Sequence, residues 1–160
     1  MKQSRVWKFN NDIDTDQIIP SQYLLLPTIK DMKKFTFESI DKEFSVKVSE
    51  GDIIVAGENF GCGSSREQAP RVLKELGVKA IVAKSFARIF FRNSINIGLP
   101  VIVCKELYDD INEKDFIEID FLKGIIKKDN KEYECTKLPE HMQNILNSNG
   151  LIEYLEHEKK

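Results

Sequence analysis

Only three cysteines, two histidines and one tryptophan occur in the 160 residues. Cys62, Cys104 and Cys135 lie far apart, none is in a C-x-x-C pair, and only His141 and His157 are available to assist them. The chain alone is therefore not expected to hold a structural zinc or a cysteine-ligated iron–sulfur cluster. Cys104, after Val101-Ile102-Val103, and Cys135, at the end of a strand-like tract, read as buried strand residues. An excess of one charge is also missing: 24 Lys plus Arg face 26 Asp plus Glu, a net charge of −2. No basic face is implied, which argues against nucleic acid as the main partner. No apolar run approaches the roughly 20 residues that cross a bilayer. Met1 to Arg5 lead straight into a strand-like Val6-Trp7-Lys8-Phe9 without a signal-peptide core, so the expected location is the cytoplasm. Repeats and linkers are absent, and the expectation is one domain over residues 1–160, burying about two thirds of its unfolded surface.

What stands out instead is Gly57-Glu58-Asn59-Phe60-Gly61-Cys62-Gly63-Ser64-Ser65-Arg66-Glu67. It follows a short apolar strand (Asp52 to Ala56) and precedes a helical pattern expected over 66–76. Strand, glycine-rich loop, helix is an arrangement that points free N–H groups and a helix dipole at an anion. An arginine there suits a planar carboxylate or phosphate held bidentately. The phosphate-loop pattern fails for want of a lysine, and G-x-G-x-x-G fails because Arg66 occupies the third glycine position. The nucleophile elbow fails because no glycine follows either serine at its spacing. The plain alternative is a turn in which Ser64 or Ser65 caps the helix, Ser65 being the better candidate.

Along the rest of the chain, residues 5–9 read as a strand and 10–16 as a loop dense in side-chain acceptors. Residues 30–40 have a weakly helical pattern, and Phe44 to Val48 alternate as a strand should. Val78 to Ala83 form an apolar strand, Ser85 is placed to cap a helix reaching Ile95, and Pro100 to Cys104 form a further strand. This strand–helix alternation implies crossovers on a partly parallel sheet. Residues 116–121, 125–128 and 131–134 read as a small antiparallel appendage. Pro139 opens a last helix, broken near Asn149-Gly150 and resumed through Leu155, with a frayed tail from His157.

Three motifs in one order carry a resemblance covering roughly residues 5–155: the Gly57–Glu67 run, Asn11-Asp12-Ile13-Asp14-Thr15-Asp16-Gln17-Ile18-Ile19-Pro20 followed by Tyr23-Leu24, and Ala83 through Pro100. Together they resemble the swivelling domain of aconitase-type hydro-lyases, and within it the short archaeal and bacterial small-subunit family of 3-isopropylmalate dehydratase. Gln68 departs from the histidine expected at that place. The resemblance implies an α/β swivelling β/β/α fold. It also implies dehydration and rehydration of a 2-hydroxy dicarboxylate in leucine biosynthesis, with a large subunit that carries a 4Fe–4S cluster, as a heterodimer or heterotetramer. Sibling hydro-lyases acting on 2,3-dimethylmalate, citraconate/methylmalate or homoaconitate are the nearest alternatives. A non-catalytic dicarboxylate-binding module is the alternative from another class.

Carried over by position, Ser64 is the expected base, Arg66 the carboxylate clamp and Asp16 a member of the active-site network. Ser65 and Thr15 join the substrate-binding set. A serine is a poor base unless N–H donors and positive charge stabilise its alkoxide. Leu25 and Leu26, after Tyr23-Leu24, take the place that reads the substrate's side group. Relatives acting on homocitrate-type acids carry arginine where Leu25 stands. Asp12 and Asp14 read as turn residues. Arg88 and Arg92, four apart on one helical face, by themselves say little.

Overall fold

The computed structural model describes residues 2–159. Its centre is a seven-stranded sheet of order β4-β3-β2-β1-β5-β6-β7. Four strands are parallel: β1 (Ser4–Phe9), β2 (Ile53–Ala56), β3 (Ala80–Ala83) and β4 (Val101–Val103). Their register sets Val6 beside Ile53, Val55 beside Val82 and Val82 beside Ile102. Every residue of β2 and β3 is buried, which explains continuous apolar runs in place of alternation, since a parallel sheet is covered on both faces. The strands β5 (Phe116–Asp120), β6 (Ile125–Lys128) and β7 (Lys131–Glu134) continue the same sheet antiparallel, starting from β1.

Two cores lie on the two faces of this sheet. Trp7, Phe9, Ile54, Ile81 and Val101 point to the larger one. They pack there against the apolar sides of α4 (Gln68–Glu75) and α5 (Arg88–Asn96), notably Val72, Leu73, Phe90 and Ile95. Val6, Ile53, Val55, Val82 and Ile102 point the other way, onto Ile117, Ile126, Tyr133 and Leu107 of the one-turn α6 (Leu107–Asp110). The remaining helices are α1 (Thr15–Ile18), α2 (Ile29–Met32), α3 (Phe44–Lys47), α7 (Glu140–Asn147) and α8 (Leu151–Glu158). Buried Asp52, at the start of β2, accepts hydrogen bonds from Arg5 Nη2, the Trp7 indole and Ser49 N–H at 2.8–2.9 Å. Three donors satisfy a carboxylate that would otherwise be costly to bury.

Several boundaries differ from expectation. Phe44–Val48 is not a strand, because Phe44 to Lys47 form α3. Buried Phe44 and half-buried Val48 are four apart, a helical spacing, while Val46 between them is 82% exposed. The ring of Phe44 meets those of Trp7, Phe9 and Phe37 edge-on. Over 30–40, α2 and a 3₁₀ turn (Lys33–Phe35) replace one helix, and Phe37 at φ 58° breaks the path. Ser85 does not cap α5; its Oγ accepts from Asn59 N–H at 2.7 Å, and Ala87 takes the cap position. The C-terminal helix continues to Glu158, so His157 is helical and not frayed.

Candidate active site

The loops that leave the C-terminal ends of β1, β2 and β3 lie side by side, the edge of a parallel sheet where ligands bind. Backbone hydrogen bonds strap them together. Gly61 N–H donates to Ile13 O (2.7 Å) and Thr15 N–H to Cys62 O (2.9 Å), while Phe60 N–H and Ala87 N–H exchange bonds with Ser85 O and Phe60 O (3.1 and 2.9 Å). Asp14 caps α1 through a capping box with Gln17, a structural role in keeping with its reading as a turn residue. Gly61 sits at φ 83°, and a Cβ there would overlap the Phe90 side chain. Only glycine lets the loop pass that close to α5.

This strapping leaves a cleft of about 190 Å³, lined by Thr15, Gly61, Gly63, Ser64, Ser65 and Arg66 on one side and by Ala87–Phe90 with Asn93 of α5 on the other. The helical pattern expected from 66 starts two residues later, at Gln68, with Glu67 as N-cap and no side-chain cap. Neither serine is the helix cap. Both are exposed, and among the described residues neither hydroxyl has a protein hydrogen-bond partner. What fixes Ser64 is its backbone: buried Thr15 donates its hydroxyl to Ser64 O at 2.7 Å. Thr15, expected in the substrate set, spends its proton on shaping the loop.

Arg66 precedes the helix and is nearly buried, its side chain 15% exposed. Its Nη1 donates to Asp16 Oδ1 (3.0 Å) and to Ile19 O (2.9 Å). The Arg66 hydrogen bond, followed by that of Ser21 N–H, holds the Asp16 carboxyl below the usual aspartate range. A braced Nη1 leaves Nε and Nη2 as an edge that can grip a carboxylate. The structure thus brings Ser64, Ser65, Arg66 and Thr15 to one cleft, with Asp16 behind Arg66. Leu25 and Leu26 are elsewhere. Leu25 is 93% exposed and Leu26 half-buried, on the turn after Tyr23, whose ring stacks on Phe35 at 3.9 Å. Arg88, to which the sequence assigns no role, also lines the cleft; the available signal was its position at the start of the helix inside the third motif.

Cys62 is half-buried in the loop, and burial, with Asp14 and Asp12 nearby, pushes its thiol up. Cys104 and Cys135 belong to the opposite face of the sheet. Burial raises both, that of Cys135 to about 11. Among the described residues no three His, Cys, Asp or Glu side chains gather as a metal site, and none of the helices is long and apolar enough to cross a membrane.

Residues 10–106 match the model of the aconitase C-terminal domain. The chain is 51% identical over 160 residues to the 3-isopropylmalate dehydratase small subunit of Caldicellulosiruptor saccharolyticus, covering 99% of this chain and 92% of that one. It is 51% identical over 152 residues to 3-isopropylmalate dehydratase small subunit 1 of Archaeoglobus fulgidus, covering 94% of each. The crystal structure of the 3-isopropylmalate dehydratase of Methanocaldococcus jannaschii superposes with a TM-score of 0.93 at 46% identity, covering 98% of this chain and 94% of that one. The chain belongs to the aconitase C-terminal domain family, among the small subunits of 3-isopropylmalate dehydratase.

Proposed function

We propose that this chain is the small subunit of a cytoplasmic 3-isopropylmalate dehydratase, a hydro-lyase of leucine biosynthesis that interconverts 2- and 3-isopropylmalate with a large subunit. The observation that carries the reading is the cleft itself. It places two unengaged serine hydroxyls beside an arginine whose other nitrogen is already braced. In this reading Arg66 holds a substrate carboxylate through its free edge, and that charge orients the neighbouring carbon–hydrogen bond toward Ser64. The Ser64 alkoxide takes the proton, the electron pair forms the carbon–carbon double bond, and hydroxide leaves from the adjacent carbon. Re-addition with the hydroxyl and proton exchanged between the two carbons completes the isomerisation. The guanidinium and the exposed backbone of a glycine-rich loop stabilise the alkoxide. Ser65 supplies a second hydroxyl to the substrate.

The Lewis acid for the departing hydroxide is assigned to a 4Fe–4S cluster on the large subunit. This chain's thiols do not fit that task, since Cys62 alone lies in the glycine-rich loop while Cys104 and Cys135 pack in the smaller core. The stoichiometry is a heterodimer or a heterotetramer of the two.

The test is anaerobic reconstitution with the large subunit, assayed against the chain alone. The expected result is turnover of isopropylmalate only in the complex. Ser64→Ala should lower kcat by roughly 10²–10⁴-fold, the usual cost of a positioned general base. Retention of turnover within a few-fold would remove Ser64 from the role. A dicarboxylate sensor needs Arg66 but no base, so binding without turnover in the complex would favour that alternative.

A further inference from the structure

We infer that Arg88 anchors the second carboxylate of the substrate, a role that rests on the cleft being the dicarboxylate site proposed above. The argument is one of charge. Two arginines are among the lining residues of the cleft, Arg66 from the loop side and Arg88 from α5, and no Asp or Glu is. The charge of Arg66 is offset from behind by Asp16 at 3.0 Å. Arg88 is exposed and makes no ion pair or side-chain hydrogen bond among the described residues. In the described state the cleft therefore holds one uncompensated cation and one braced cation with a free edge.

The start of α5 adds to this. Arg88 is its first residue, and Ala87 offers no side-chain cap. The first-turn N–H groups of a helix have no intrahelical acceptor, and their dipole favours an anion. Lys84, by contrast, is paired with Asp109 at 3.3 Å, and Arg92, one turn further along α5, is not part of the cleft lining. A ligand with a single carboxylate satisfies one of the two guanidinium groups. A dicarboxylate whose charges flank the two reacting carbons satisfies both, one on each wall, and leaves the carbon between them facing Ser64. Arg88 thus selects for diacids, a task distinct from that of Arg66.

The competing role for an exposed arginine beside an active site is docking of the large subunit, and the experiment separates the two. Competitive inhibition of the reconstituted enzyme is measured with a dicarboxylate substrate analogue and with its two monoamides. Loss of a charge-assisted hydrogen bond corresponds to roughly 10–100-fold in affinity. Arg88→Gln is expected to weaken the diacid by that factor. One of the monoamides should bind the variant within about two-fold of wild type, because it lacks the contact already. Arg88→Lys should recover part of the loss, with subunit association in sedimentation unchanged. Equal weakening of all three probes, or impaired association, overturns the inference in favour of docking. No change in any probe overturns it outright. If Ser64→Ala and Arg66→Lys remain impaired in that event, the wider reading of the cleft stands; if they too behave as wild type, that reading has failed as well.

Discussion

Asp16 is 62% exposed, yet its carboxylate accepts from both Arg66 and Ser21. An exposed ion pair contributes only about 0–1 kcal/mol to folding, so the effect of this one is to fix the position of Arg66 in the cleft lining. Because the folded-state pKa of Asp16 is lowered, the pair is present above the ordinary aspartate value. It persists as pH falls through about 3.9 and opens only below it. Titration of the Arg66 guanidinium resonances in the isolated chain should therefore show a midpoint below about 3.9; a midpoint at or above it would refute the pairing. Asp16→Asn should leave the unfolding free energy within about 1 kcal/mol of wild type. In the complex it should raise KM for isopropylmalate about ten-fold while lowering kcat less, as the proposed roles of Arg66 as clamp and Ser64 as base require. At this scale the grouping of Ser64 and Arg66 in one cleft, with Asp16 against Arg66, was legible through the motifs that carry the family resemblance. The Thr15–Ser64 contact and the place of Arg88 in the cleft lining were not, because they arise only when loops distant in sequence are laid together.

Between elements, the loops at the sheet edge depend on how firmly the helices are seated. Lys74 of α4 donates from Nζ to Ile97 O (2.6 Å), at the C-terminal end of α5, and to Asn149 Oδ1 (2.7 Å) in the turn between α7 and α8. Cations suit helix C-termini, where carbonyls lack partners. Burial lowers the pKa of this lysine, and the part-buried Ile97 carbonyl is costly to leave unpaired, whereas the bond to Asn149 is exposed. Lys74→Met keeps the aliphatic stem and removes the donors, and the expected loss is about 1–3 kcal/mol in denaturant unfolding. Unchanged stability would show that water replaces the ammonium there. Sequence alone delivered the alternation of strands and helices here, since Ile53–Ala56 and Ala80–Ala83 are apolar throughout and flanked by turn residues. It misplaced Phe44–Val48 because apolar residues at positions one, three and five satisfy both a strand of period two and a helical i, i+4 pair. The caps failed for another reason. Ser85 and Ser65 have the chemistry of caps, but Asn59 N–H claims the first, and the second precedes the true N-cap by two residues.

At the scale of the whole molecule, Leu25 stands apart from the cleft. The Leu25 side chain is 93% exposed and outside the cleft that holds Ser64 and Arg66, so under the proposed function its contact with the substrate's side group requires the large subunit in place. An isopropyl group buried against Leu25 and Leu26 gains on the order of 2 kcal/mol at about 0.8 per carbon. A third carboxylate in the same place loses its water without gaining a partner, at a cost of several kcal/mol. With the side group placed there, exclusion of tricarboxylates would outweigh selection of isopropyl over methyl. Leu25→Arg should be silent in the isolated chain, within about 0.5 kcal/mol of wild-type stability, as expected for an exposed side chain away from packing. In the complex it should raise kcat/KM for homoaconitate relative to isopropylmalate by at least about ten-fold, the effect of a bridging guanidinium on a buried carboxylate. An unchanged ratio would show that this turn does not touch the side group, and a destabilised isolated chain would mean that Leu25 packs against its own fold.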